Sequence, residues 1–163
     1  QILALRSHGC AAEDLMRWLF LFLALMPAAG LCGGPEPSSG QLLYVPVYSH
    51  IYTGDKERPF NLAVTLSIRN TDPASVLRLT AVDYYDTDGR LVRRYLEAPR
   101  ELRPLASIRY VVAERDVEGG SGANFLVRWE SPKPINVPVV ESVMIGAQSG
   151  QGISFTSQAR EIR

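Results

Sequence analysis

The stretch "FNLAVTLSIRN", residues 60 to 70, alternates with a period of two. Phe60, Leu62, Val64, Leu66 and Ile68 are interleaved with Asn61, Ala63, Thr65, Ser67 and Arg69. Successive side chains of a β-strand point to opposite faces, so the pattern predicts a half-buried strand with a complete apolar row against a core. Its end is set by "NTDP": Asn and Asp hydrogen-bond locally, and Pro73 cannot continue a ladder.

The same reasoning extends along the chain. "VLRLTAVDYYD" and "RLVRRYL" flank "TDGR", and an Asp-Gly pair between apolar runs predicts a hairpin whose central residues take positive φ. "SIRYVVAE" places Ile108, Tyr110 and Val112 on one face, and "NFLVRWE" does so with Phe125, Val127 and Trp129, the last a core aromatic. "VVESVMIGA" and "GISFTSQ" are joined by "QSGQ", and Pro46 in the opening run "LLYVPVYSHIY" suits an edge strand. About seven or eight short strands separated by turn signals, with no helical pattern, predict an all-β chain. The expected fold is a single immunoglobulin-like or fibronectin-like β-sandwich over residues 42–160.

The N-terminal part has a different character. In "MRWLFLFLALMPAAGLCGGPEPSSG", residues 16–40, Met16-Arg17, the apolar run Trp18 to Met26 and Ala28-Ala29-Gly30 follow the order of a secretory signal. Pro27 and glycines 30, 33 and 34 interrupt the run well short of the roughly 20 apolar residues a spanning helix needs. Residues 16–32 are therefore expected to be a signal peptide, favoured over a retained anchor or a buried helix. Residues 33–41 are expected to be a flexible linker, and residues 1–15, upstream of a start-like Met16, are expected to be an extension outside the mature protein, through either a reading frame taken too far upstream or a fragmentary chain. Cys32 is a lipidation candidate, because Ala29-Gly30-Leu31-Cys32 resembles a lipobox, but Leu31 stands where a small residue belongs. Cleavage after Gly30 competes with it. The expected location is exported, periplasmic or envelope-associated, with a lipid anchor at Cys32 as the alternative to a free domain.

Both cysteines, Cys10 and Cys32, precede the predicted domain, so the domain has no internal disulfide and no cysteine metal site. Seventeen Lys+Arg balance seventeen Asp+Glu, which leaves no electrostatic footprint for nucleic acid; membrane contact is expected only through the signal segment or a lipid. Arg90, Arg93, Arg94, Arg100, Arg103, Arg109 and Arg115 crowd one span and are read as a solvated, partly self-paired outer face, with an anion-binding strip as the sharper alternative.

Candidate chemistry is sparse. "DTDG", Asp86 to Gly89, resembles the start of a calcium loop, but Arg90 stands at the third ligand position and no bidentate Glu follows, so it is read as a turn. "EGGSGANF" lacks the Lys-Ser/Thr pair and the following helix of a phosphate cradle, and is read as a mobile connection. Ser121 is no nucleophile elbow, since Ala123 replaces the required glycine. His50 is the one histidine of the predicted domain; a hydrolase would need it beside Ser49 or Ser121 and an Asp such as Asp83, and a zinc site lacks ligands. No metal or cofactor is expected.

Taken together, "YVPVYSHIY", "LSIRNTD", "VDYYDTDGRLV", "GGSGANF" and "MIGAQSGQGISFTS" resemble, from about Leu43 to about Ser157, the bacterial family catalogued as domain of unknown function 3124. That resemblance implies a small exported envelope protein and offers no catalytic residues to carry over. The expected function is a noncatalytic binding or structural module contacting an envelope protein or small ligand, with an envelope hydrolase using His50 as the alternative. Its contact surface would be the edge bearing "YSHIY" or the loops "DTDG", "GGSGAN" and "QSGQG". Tyr48, His50, Tyr52, Tyr84, Tyr85, Ser121 and Asn124 are the binding candidates, the tyrosines because each offers rigid area and a hydroxyl.

Overall fold

A computed structural model of the chain describes residues 35–163, which form one compact unit, Pro35–Arg163. The signal segment, the extension before it and Cys32 lie outside the described residues. Among the described residues there is no helix, and none that is long and apolar enough to cross a membrane.

Twelve strands follow in order: β1 (Ser38–Pro46), β2 (His50–Thr53), β3 (Arg58–Asn61), β4 (Ala63–Arg69), β5 (Leu77–Tyr85), β6 (Leu91–Arg94), β7 (Arg100–Leu102), β8 (Ser107–Val112), β9 (Asn124–Ile135), β10 (Val139–Gln148), β11 (Gln151–Gln158) and β12 (Arg160–Ile162). They form a six-stranded sheet in the order β12-β1-β9-β5-β6, with β7 also on β5, a four-stranded sheet in the order β11-β10-β4-β8, and the separate ribbon β2-β3. Every pairing is antiparallel. The all-β class expected from the sequence is the one adopted.

The strands outnumber the expectation because several runs are divided. "FNLAVTLSIRN" keeps its apolar row fully buried from Phe60 to Ile68, yet the chain changes partner within it: Phe60 pairs with Ile51 of β2, while Val64 onward pairs with β10 and β8. The edge partner of β5 is also split, β6 lying against Asp83–Tyr85 and β7 against Leu77–Leu79. "YVPVYSHIY" is two strands, β1 ending at Pro46, which pairs with Asn124, and β2 starting at His50. At the termini β1 begins within the segment read as linker, where Ser38 pairs with Ile135, and β12 reaches Ile162.

One core joins the two large sheets. Val45, Leu79, Tyr84, Phe125, Val127 and Trp129 from the first meet Val64, Leu66, Ile68, Val112 and Met144 from the second, all essentially inaccessible. Side chains of this size contribute roughly 1.5–3 kcal/mol each on burial, so the alternating rows are what hold the sheets together. A polar stitch crosses the interior, where the buried Ser142 hydroxyl of β10 donates to Pro46 O of β1 at 3.0 Å. The predicted hairpin at "TDGR" forms, but with a different turn: only Gly89 has positive φ, 77°, Gly89 N donates to Asp86 O at 3.0 Å and Asp86 N to Arg90 O at 2.9 Å. This is a three-residue loop with glycine at the left-handed position, preferred because β5 and β6 are offset by a bulge after Tyr84.

Candidate functional site

Strand registers bring most of the singled-out motifs to one end of the sandwich. Asn124, at the start of β9, pairs with Pro46 on one side and Tyr85 on the other, so the β1–β2, β5–β6 and β8–β9 connections leave the first sheet together. Ala63 opposite Ile145 and Val64 opposite Val112 put the start of β4 and the ends of β10 and β8 at the corresponding end of the second sheet.

The loops there are joined by hydrogen bonds. Val47 N donates to Ala123 O at 2.9 Å, Ser49 N and Oγ both donate to Gly120 O at 3.0 Å, and Leu62 N donates to Ser49 O at 2.9 Å. Thr87 N and Oγ1 donate to Gly119 O at 2.9 and 3.0 Å, and the same Oγ1 accepts Gly122 N at 3.0 Å. "GGSGAN" is thus a pinned bridge between Ser49 and Thr87 and not the mobile connection its glycines suggest. Gly120, at φ 78°, supplies the left-handed turn. Gly119 is required for space, since a Cβ there would meet the Tyr84 hydroxyl, with Ala123 Cβ at 2.8 Å.

The binding candidates separate by exposure. Tyr52 is the most open, 55% exposed, and its hydroxyl is 3.3 Å from His50 Nε2, the two rings packed edge to face at 5.2 Å. Tyr48 is half-buried with its ring edge-on to Phe155 at 5.6 Å. Tyr85, Ser121 and Asn124 are partly exposed at the same end. Tyr84 does not belong with them: as a surface anchor it is corrected, because alternation along β5 turns it inward beside Phe125, ring centroids 5.0 Å apart, and leaves it with no accessible surface. Burial pushes its phenol up to about 12, and the nearby Asp116 carboxylate adds to the shift. Its hydroxyl has no hydrogen-bond partner.

Contacts that the sequence does not disclose complete this end. Arg93 of β6 pairs with Asp116 of the β8–β9 loop at 3.1 Å and sits 5.6 Å from the Tyr95 ring centre, and the Tyr95 hydroxyl donates to Val111 O at 3.2 Å. No short-range pattern signals the Arg93–Asp116 and Tyr95–Val111 contacts, which join positions 23 and 16 residues apart. Between the β2–β3 ribbon and the β10–β11 turn lies a cleft of about 230 Å³ lined by Thr53, Arg58, Phe60, Gln148 and Gln151. Ser149 and Gly150 make that turn with φ of 52° and 78°, the two-residue hairpin geometry.

The catalytic and metal alternatives find no assembled group. Among the described residues His50 makes no hydrogen bond to a serine or a carboxylate, and the Ser49 hydroxyl, fully buried, is committed to Gly120 O. Asp86 uses Oδ1 to accept Asp88 N and Arg90 N at 2.9 and 2.8 Å, so "DTDG" closes its own turn. Among the described residues no three His, Cys, Asp or Glu side chains gather as a metal site.

Fold and site define an antiparallel all-β protein whose connections converge at one end, with an aromatic pair exposed beside them. The chain belongs to the family described as protein of unknown function (DUF3124), whose model matches residues 40–162. No curated protein matches it. Among solved structures, the crystal structure of Thermotoga maritima 1070 is similar over 74% of this chain and 92% of its own, at 12% identity and a TM-score of 0.46, a likeness that bears on neither strand order nor site.

Proposed function

We propose that this chain is an exported, envelope-associated binding or structural module without catalytic activity, recognising an envelope protein or a small ligand at the loop-bearing end of its sandwich. The signal-like segment 16–32 supports export, either as a free domain or held through Cys32. The observation that carries the binding reading is the fastening of three connections by Ser49, Gly120 and Thr87 beside the exposed His50–Tyr52 pair. Rigid loops and a rigid aromatic present a contact surface with little ordering cost on binding. A hydrolase built on His50 would need a serine or carboxylate within hydrogen-bond reach of its ring.

Tyr52→Ala combined with His50→Ala tests this better than truncating Tyr48, whose ring also packs on Phe155. The unaltered protein, cross-linked in intact envelopes, should give a discrete adduct that the double variant loses while keeping its Tm. An adduct of equal yield from the double variant sinks the reading, and so does turnover of an ester, amide or glycoside substrate that disappears in His50→Ala alone.

A further inference from the structure

We propose that the outer face of the four-stranded sheet carries a second site, independent of the loop end, that binds the oxyanion of a phosphate or sulfate group. A shallow groove of about 560–580 Å³ scale is not unusual on this surface, but the one of about 580 Å³ across β4 and β8 is distinguished by its chemistry: Arg69, Arg100, Arg109, Ser67, Ser107 and Thr65 all line it. Register explains the grouping. Ser67 lies directly opposite Arg109, and Arg69 opposite Ser107, so guanidinium and hydroxyl groups alternate across two adjacent strands on the outward face. Arg100 joins them from β7, which belongs to the other sheet.

The groove is rich in donors and short of acceptors. Arg69 is partly neutralised by Glu141 at 3.5 Å and donates through Nε to Ser67 Oγ at 3.2 Å, which leaves the Ser67 proton free to donate outward. Among the described residues neither Arg100 nor Arg109 has a carboxylate partner. Tyr110, beside Arg109 in β8, turns to the inward face and packs in the core, so the donors of the outer face are the arginines and hydroxyls alone.

Guanidinium forks and hydroxyls converging from three strands match the three or four acceptor oxygens of a tetrahedral oxyanion, and bonds from charged donors are the stronger kind. Nucleic acid fits less well. The groove exposes no aromatic face for bases, the Tyr110 ring being buried, and the chain has no net charge.

The test titrates the full chain with inorganic phosphate, sulfate and chloride at constant ionic strength, following backbone amide resonances of Ser67, Ser107 and Arg109. Saturable shifts with phosphate and sulfate but not chloride are expected, weakened at least tenfold in Arg100→Gln with Arg109→Gln and unchanged in Arg94→Gln with Arg128→Gln, which removes equal charge elsewhere. Ser67→Asp, which puts a carboxylate into the groove, should abolish binding with the arginines intact. A parallel arm uses phosphatidylglycerol vesicles against phosphatidylcholine vesicles. Groove-dependent sedimentation with the former identifies a lipid headgroup, and binding of free phosphate without it identifies a soluble phosphate or sulfate compound. Linear shifts, equal response to chloride, or equal loss in the Arg94/Arg128 control overturns the proposal.

Discussion

Thr87 and Gly119 are joined twice, the backbone N–H and the hydroxyl of Thr87 both donating to the Gly119 carbonyl at 2.9 and 3.0 Å. The same hydroxyl oxygen accepts from Gly122 N at 3.0 Å. A single side chain in the β5–β6 turn therefore holds the β8–β9 loop in place. Thr87→Val keeps the shape and the backbone bond but loses both hydroxyl contacts. About 1 kcal/mol of stability should go, because Gly122 is exposed and water replaces its partner. The larger effect should be local, with amide exchange at Gly119 to Gly122 accelerating far more than in β5 or β9; uniform acceleration would mean that the hydroxyl fastens nothing in particular.

Gly119→Ala drives a methyl into the Tyr84 hydroxyl and against Ala123 Cβ. Overpacking of this kind costs about 1–3 kcal/mol. Tyr84→Phe alone should be neutral or slightly stabilising, since the hydroxyl it removes is buried without a partner. Because that substitution also clears the closest clash, the double variant should recover part of the Gly119→Ala loss. Strictly additive costs in chemical denaturation would show that the two positions do not press on each other.

The buried phenols set an alkaline limit. Tyr84 is raised to about 12 by burial, and burial also raises Tyr95 and Tyr110. An unfolded tyrosine ionises near 10, so between about 10 and 12 the unfolded chain releases protons that the folded one retains. The unfolded state then binds fewer protons, and stability, fully present below 10, falls as pH rises through that window. Tyr84→Phe should flatten the decline measured by urea midpoints against pH. A profile as steep as that of the unaltered protein would assign the effect to other groups.

Much of the fold was legible because its rows are short-range patterns: the alternation from Phe60 to Ile68, and that of Phe125, Val127 and Trp129, map directly onto buried faces. What periodicity does not encode is partner choice. Nothing local distinguishes Phe60, paired to the β2 ribbon, from Val64, paired to β10 and β8. Tyr84 and Tyr85 look alike as a doublet, yet the period of two sends one to the core and the other outward, and that alternation was available in "VDYYD". The fastening roles of Thr87, Ser49 and Asp116 were not legible for another reason. Their roles depend on partners 23 to 71 residues away, which only closure of the sandwich brings into contact.

At the opposite end Asn70 plays a corresponding part. It is 2% exposed, and its Nδ2 donates to Ser75 O, Leu102 O and Arg103 O at 2.8, 3.2 and 3.1 Å while Oδ1 accepts Asp72 N at 3.0 Å. Asn70→Ala strips several buried backbone groups of their partner and should cost about 3 kcal/mol or more, in the range of a broken buried network. Equilibrium unfolding in urea measures it, and a loss below 1 kcal/mol would mean that water takes over these contacts.

Asp72, two residues on, predicts the acid behaviour of this end. Its Oδ1 accepts Ala74 N at 2.9 Å and Ser75 N at 2.7 Å, and Oδ2 accepts Asn136 N at 3.2 Å, which ties the β4–β5 connection to the one between β9 and β10. The bond from Ala74 N is the foremost cause that holds the carboxyl below its ordinary value of 3.8, with those from Asn136 and Ser75 acting in the same direction against a smaller opposing effect of burial. A depressed folded pKa means that the unfolded state takes up the proton first. The contribution is therefore complete above the unfolded value and is lost as pH falls below it through the folded value. Asp72→Asn keeps the size, removes the charge and leaves an amide whose NH2 faces donors where an oxygen stood. The variant should be less stable near neutrality and should lose less stability on acidification than the unaltered protein, so the two urea-midpoint curves converge at low pH. Parallel curves would show that the carboxylate of Asp72 contributes nothing specific to this end of the sandwich.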